Sequence, residues 1–303
     1  MNAIEAYNIT QRYGKVTAVD DLSFSVGEGE LFGFIGPDGA GKTTLFRIAA
    51  TLIIPSGGRM TLFGLNVVSN FRELRNLIGY MPGRFSLYHD LTVEENLNFY
   101  AAIFGTTIRE NYHLIEPIYK QIEPFRKRHA GRLSGGMKQK LALSCALIHK
   151  PRILILDEPT TGVDAVSRTE FWEMLAGLKH EGITIIVSTP YMDEALRCDR
   201  IALIQEGKLL GIDTPARIRN SYGKKLYAVS HPERYRLLIA LRSLPQVISP
   251  EPFGDSVHVV LRDDADPSEV KKSLEDAGLS GVTIEETVPG IEDVFLELMQ
   301  KEV

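Results

Sequence analysis

Residues 36–44, Gly36-Pro37-Asp38-Gly39-Ala40-Gly41-Lys42-Thr43-Thr44, have the types and spacing needed to hold a phosphate chain. Glycines at 36, 39 and 41 let the backbone turn tightly and bring N–H groups up to phosphate oxygens. A helix expected from Lys42 to Leu52 would aim its positive N-terminus at the same oxygens. Lys42 is then placed to reach the β- and γ-phosphates of a nucleotide, and the Thr43 hydroxyl to ligate Mg²⁺. The preceding run, Glu30 to Ile35, is short and apolar and suits a buried parallel strand. An ordinary glycine-rich turn between strand and helix has no reason to carry Lys-Thr-Thr in register.

Two further stretches carry chemistry. Ile153 to Leu156 reads as a second buried strand, with Asp157 and Glu158 at its C-terminal end, the edge of an α/β sheet where ligands bind. One acid could serve Mg²⁺ and the other a water molecule. Leu133-Ser134-Gly135-Gly136-Met137 opens a helix expected from about Gly135 to His149, with Ser134 as a good N-cap. Its unpaired N–H groups and hydroxyl form an anion site.

In this order and at these separations the three segments resemble the ATP-binding cassettes of ABC transporters. The resemblance implies an α/β P-loop NTPase fold: a mixed-sheet, RecA-like core, an antiparallel β layer and an inserted helical subdomain. It also implies roles. Asp157 would hold Mg²⁺ and Glu158 would be the general base toward the γ-phosphate. Asp164, in Pro159-Thr160-Thr161-Gly162-Val163-Asp164, would contact a dimer partner. Ser134, Gly135 and Gly136 would bind the γ-phosphate of ATP held by the opposite cassette. Tyr13 lies where the family stacks an aromatic on adenine. Met81-Pro82 and Leu91–Leu97 resemble the segment that meets transmembrane permease subunits.

At two positions the sequence departs from that pattern. Gly83 stands where the family has a Gln that touches Mg²⁺ and the attacking water. Pro190 stands where it has a His that bonds the γ-phosphate. Glycine has no side chain, and proline offers neither a ring nitrogen nor a backbone N–H. ATP and Mg²⁺ should still bind here, with slow hydrolysis, because groups that orient water and stabilise transferring charge are missing. The segment Ser188–Ala195 resembles the first half of certain tandem-cassette drug exporters, so a second, competent cassette is the expected partner, with a homodimer as the other arrangement.

The remaining chain positions these groups. Residues 1–35 read as an early antiparallel layer, 72–150 as mostly helical, 151–215 as strand–helix alternation with helices at Ser167–His180 and Met192–Cys198. A boundary is expected near 220: residues 1–220 form the cassette and 221–303 a small α+β accessory domain. In the latter, the order strand–helix–strand–strand–helix–strand suggests a ferredoxin-like fold. Its last helix, with Ile291, Val294, Phe295 and Leu298 on one face, resembles the end of daunorubicin-type drug-resistance cassettes. That face is expected to pack back on the domain or to dimerise.

Composition bounds the function. The chain of 303 residues is 44% hydrophobic and 24% charged with a net charge of −5. That balance argues against a nucleic-acid coat, and no nucleic-acid partner is expected. No apolar run approaches the ~20 residues needed to cross a bilayer. The start, Met1 to Tyr7, has no basic region followed by an apolar stretch, so no signal peptide is expected. Cys145 and Cys198 lack metal-ligand spacing and read as free thiols. A small-molecule kinase would share residues 36–44 but would not explain Leu133–Met137, and soluble two-cassette proteins of repair or translation would need more chain. An exporter ATPase on the cytoplasmic side of the inner membrane, peripheral to its permease, accounts for all of these features. A nucleotide-binding regulatory subunit that barely turns over is the alternative.

Overall fold

The computed structural model describes residues 1–301 and separates into two compact units, Met1–Pro215 and the chain from Ala216 onward. In the first unit, β1 (Asn2–Tyr13) and β2 (Val16–Gly27) form a long antiparallel pair. After β3 (Leu31–Ile35) and α1 (Lys42–Ala49), β4 (Gly57–Leu62) and β5 (Leu65–Asn66) extend that layer in the order β2-β1-β4-β5. Alternation explains the layer: Ile4, Ala6 and Ile9 of β1 face inward with Leu22, Phe24 and Val26 of β2. Phe24 meets Phe34 of β3 at 5.1 Å between ring centres, and Phe34 meets Phe46 of α1 at 5.5 Å. These rings tie the β layer to the main sheet and its first helix, each burial stabilising by about 1.5–3 kcal/mol.

The chain continues through α2 (Phe71–Leu74), β6 (Ile78–Met81), α3 (Val93–Ile103), α4 (Ile108–Tyr119) and α5 (Gly135–Leu147). Then come β7 (Ile153–Asp157), α6 (Ala165–His180), β8 (Thr184–Thr189), β9 (Arg200–Gln205) and β10 (Lys208–Asp213). The six-stranded main sheet runs β10-β9-β3-β8-β7-β6, all parallel except the edge strand β10. Its central strands are buried on both faces, as continuous apolar runs should be.

Two expectations change. The stretch 72–150 is not uniformly helical, because Ile78–Met81 is a strand of the main sheet, paired with β7. The expected helix at Met192–Cys198 is a 3₁₀ turn over Met192–Arg197, whose Glu194 side chain is drawn into the interior. Thr92 with Glu95, and Thr107 with Glu110, make complete capping boxes at α3 and α4.

His149 illustrates how the helical segment is pinned. Its Nε2 donates to the Ile78 carbonyl at 3.0 Å, its ring stacks on Phe104 at 3.8 Å, and its buried Nδ1 has no partner. Burial holds its pKa below the ordinary value, partly offset by the carbonyl bond. A histidine whose folded pKa is depressed contributes stability above the unfolded value of about 6.5, and loses it as pH falls below. The melting temperature should therefore drop between pH 7.5 and 5.5, and His149→Gln, which keeps an N–H donor, should flatten part of that drop. Identical drops in both proteins would refute this reading.

The second unit opens within α7 (Pro215–Asn220) and continues through β11 (Leu226–Ser230), α8 (Arg234–Ser243), β12 (Val247–Phe253), β13 (Ser256–Leu261), α9 (Pro267–Asp276) and β14 (Thr283–Thr287). The antiparallel sheet order β12-β13-β11-β14 with two helices is the ferredoxin-like arrangement. Leu237, Leu241, Val270 and Leu274 of the helices close its core against Val229, Val257 and Val259. The final helix, α10 (Ile291–Lys301), packs back on its own unit: Ile291, Val294 and Phe295 are buried, and Leu298 is half-buried. Asp293 of α10 bonds His258 Nδ1 at 2.8 Å, and Phe253 stacks on that ring.

Candidate nucleotide site

Sheet order brings the chemistry together. β3, β8, β7 and β6 are neighbours in register, with Ile35 beside Thr189, Ser188 beside Asp157, and Leu156 beside Met81. Gly36, Glu158, Pro82-Gly83 and Pro190 therefore leave the sheet along one carboxyl edge, though they are far apart in sequence. That edge is where open α/β sheets bind ligands.

The glycines at 36 and 41 are required by geometry. A Cβ on Gly36 would lie 2.1 Å from the Ile204 carbonyl oxygen, and one on Gly41 2.3 Å from that of Ala18. Gly41 also sits at φ 101°, in the left-handed region. It precedes α1 without any side-chain cap, so the first N–H groups of the helix are left for an anion. Lys42, 3% exposed, curls back over the loop. Its Nζ donates to the carbonyls of Gly36 at 2.7 Å and Pro37 at 2.9 Å, and pairs with Glu158 Oε1 at 3.1 Å. Phosphate oxygens would have to compete with these three acceptors.

Asp157 is buried at the end of β7 and is held by two hydroxyls. Thr43 Oγ1 donates to its Oδ1 at 3.2 Å and Ser188 Oγ to the same oxygen at 2.7 Å. Ser188 Oγ also accepts from the Glu158 N–H at 2.9 Å, so one hydroxyl fixes both acids. Glu158 needs that support, because its φ of 49° lies in the left-handed region, costly for a non-glycine residue. Nothing in the sequence reading singled out Ser188. The available signal was a hydroxyl residue ending an otherwise apolar strand.

The fit to Mg-ATP can be judged from these donors. A hydroxyl and a carboxylate, both hard oxygens, meet beside a lysine and a loop with no room for a Cβ at Gly36 or Gly41, which suits Mg²⁺ and a phosphate chain. Tyr13 lies at the exposed end of β1, on the hairpin whose other strand sends Ala18 to Gly41. Gly83 abuts Asp157: a Cβ there would stand 3.1 Å from the Asp157 carbonyl oxygen and 3.7 Å from Oδ2. Pro190 ends β8 between Thr189 and Tyr191.

The Leu133–Met137 turn is built elsewhere in the same unit. Ser134 caps α5, accepting from Met137 N at 3.4 Å. A Cβ on Gly136 would lie 2.7 Å from Ser167 Oγ, and one on Gly135 3.3 Å from the Gly162 carbonyl. Asp164 caps α6 by accepting from Ser167 N at 3.0 Å, and that bond holds its carboxyl below the usual range. The turn and the Asp164 loop thus pack on one another. Among the described residues no hydrogen bond joins Ser134 to Lys42 or Glu158.

This geometry accords with the comparisons to known proteins. Residues 19–161 match the family model "ABC transporter", and residues 214–299 match "ATP-binding protein DrrA1-3-like, C-terminal domain". The chain is 40% identical, over 93% of its length, to the probable multidrug ABC transporter ATP-binding protein YbhF of Escherichia coli, of which it spans 49%. It is 35% identical to the Nod factor export ATP-binding protein I of Rhizobium sp. strain N33, over 99% of this chain and 98% of that one. An ATP-binding subunit of an ABC transporter superposes with a TM-score of 0.66 at 28% identity, covering 73% of this chain and 93% of the other. A dimeric bacterial ABC transporter cassette gives 0.63 at 26% identity, covering 70% and 98%. The chain belongs to the ATP-binding proteins of ABC transporters, with a DrrA-like C-terminal domain.

Proposed function

We propose that this chain is the ATP-binding and ATP-hydrolysing subunit of an ABC exporter, closing with a second cassette around Mg-ATP to drive a separate transmembrane permease. The observation that carries this reading is the meeting of Lys42, Thr43, Asp157 and Glu158 on one sheet edge, the Lys42–Glu158 and Thr43–Asp157 pairs being joined through the Ser188 hydroxyl by contacts of 3.2 Å or less. Residues 36–44 would cradle the phosphates, with Tyr13 against adenine. Thr43 and Asp157 would hold Mg²⁺, which when bound neutralises charge on the β- and γ-phosphates. Glu158 would take the proton of the attacking water, and Lys42 would leave Glu158 for the γ-phosphate. Ser134, Gly135 and Gly136, with Asp164, would complete the site of the partner cassette.

Names among the relatives, multidrug and Nod factor export, support an exporter, with the chain at the cytoplasmic face of the membrane. No helix among the described residues is long and apolar enough to cross a membrane. Gly83 and Pro190 leave the chain's own site short of two polar groups, which favours a heterologous, competent cassette as partner. They also favour the second reading, a regulatory subunit that binds ATP and hydrolyses little.

Steady-state ATPase activity of the purified chain across a wide protein concentration range tests this, with Glu158→Gln as the blank. Specific activity that rises with concentration and vanishes in the blank means a working homodimer. ATP binding without activity above the blank means an impaired cassette that needs a competent partner. Ser134→Arg should leave ATP binding to the isolated chain intact and remove only the concentration-dependent activity. Loss of binding would overturn the assignment of residues 134–136 to a partner's nucleotide.

A further inference from the structure

Behind the candidate site lies a buried acid that the proposed mechanism does not use. Glu194, 3% exposed, reaches inward from the 3₁₀ turn after β8. Its Oε2 accepts from Thr160 Oγ1 at 3.0 Å and from Thr189 Oγ1 at 2.5 Å, both hydroxyls being buried. Its Oε1 lies 3.2 Å from Arg168 Nε, an ion pair out of line for a hydrogen bond. Arg168 also binds Asp193 at 2.9 Å and lies over the Tyr191 ring at 4.4 Å. Thr189 accepts in turn from Tyr191 N at 3.1 Å.

One carboxylate therefore joins three segments: the loop after Glu158, the end of β8 beside Pro190, and the first turns of α6 after Asp164. A bare buried carboxylate is costly, and this one keeps its two hydroxyl donors and its ion pair only while all three segments are in place. We propose that Glu194 is a positioning residue for ATP hydrolysis, a latch that holds the Glu158–Asp164 loop against the end of β8. The need for it follows from Pro190. With no side-chain donor there, Thr189 and Glu194 make the polar connection across this edge. The left-handed backbone of Glu158 is fixed on one side by Ser188, and the loop two residues later is fixed by Glu194 through Thr160.

The inference rests on the ATPase reading for its catalytic part only, so the test has two arms on the full chain. In the first, amide exchange is followed over Thr160–Asp164, Thr189 and Tyr191 in Glu194→Ala, Glu194→Gln and Thr160→Val. Exchange in these segments should rise about tenfold in Glu194→Ala and a few-fold in Thr160→Val, with β3 unchanged, since only local opening is affected. In the second, single-turnover hydrolysis should fall about tenfold or more in Glu194→Ala, with the Kd for ATP within about twofold of wild type. Glu194→Gln should recover much of both, because an amide oxygen still accepts the two hydroxyls. Unchanged exchange would remove the latch. Faster exchange with unchanged turnover would reduce it to a structural contact. A wild-type chain without any turnover would mean that hydrolysis needs a competent partner cassette, and the exchange arm would still decide whether the latch exists.

Discussion

Replacing Lys42 with alanine should raise the Kd for Mg-ATP about 10- to 100-fold, the value of one or two charge-assisted hydrogen bonds to phosphate. The structure bounds the effect from both sides. Lys42 already bonds Gly36, Pro37 and Glu158, so phosphate contacts replace existing ones and the gain is a difference. The same contacts warn that the variant could bind poorly because its loop has changed. A stability comparison separates these causes. At an ATP concentration 100 times the wild-type Kd, binding stabilises wild type by about 2.7 kcal/mol, and a variant with 100-fold weaker binding by about 0.4 kcal/mol. The melting temperature without ATP should stay near wild type, because Glu158, with a side chain 20% exposed, can hydrate once its partner is gone. A variant that melts as wild type and still gains full protection from ATP would overturn the assignment of Lys42.

Glu158→Gln should separate binding from chemistry. Removing a general base costs roughly 10²- to 10⁴-fold in rate. On the proposed reading, in which Gly83 and Pro190 leave the site short of two polar groups, the lower end of that range is expected. Binding should hold or tighten, since the neutral amide no longer pairs with Lys42 across 3.1 Å and frees the ammonium for phosphate. The backbone should be unaffected, because the amide of residue 158 bonds Ser188 whichever side chain it carries. Single-turnover hydrolysis with protein in excess and calorimetric ATP titration measure the two effects. Hydrolysis at the wild-type rate would mean that Glu158 is not the base, and weakened binding would mean that the Lys42 pair supports the loop instead.

Substituting Gly83 to recover the family's Gln is not a neutral exchange here. A side chain at 83 must begin 3.1 Å from the Asp157 carbonyl oxygen, so that contact has to ease by a few tenths of an ångström.

How much the chain announces by itself depends on how local each feature is. The phosphate cradle, the N-cap at Ser134 and the alternation of β1 and β2 depend on residues within a few positions of one another. All are legible as residue types at fixed spacing. The order βαββαβ of the second unit was readable for the same reason, because each element carries its own period and its own turns. Strand β6 was hidden inside a helical stretch, since Ile78–Met81 is too short to show a period and becomes a strand only by pairing with β7. The Met192–Arg197 segment reads as a full helix but is a 3₁₀ turn, because Thr160 and Arg168, distant in sequence, together with nearby Thr189 draw Glu194 inward. Ser188 between the two acids, Lys42 paired with Glu158, and Gly83 pressed on Asp157 exist only because β3, β8, β7 and β6 lie side by side in an order unlike their order along the chain. Spacing in the chain determined which groups could do phosphate chemistry, while strand pairing decided which of them touch, because hydrogen-bond contact at about 3 Å is a property of the assembled sheet edge.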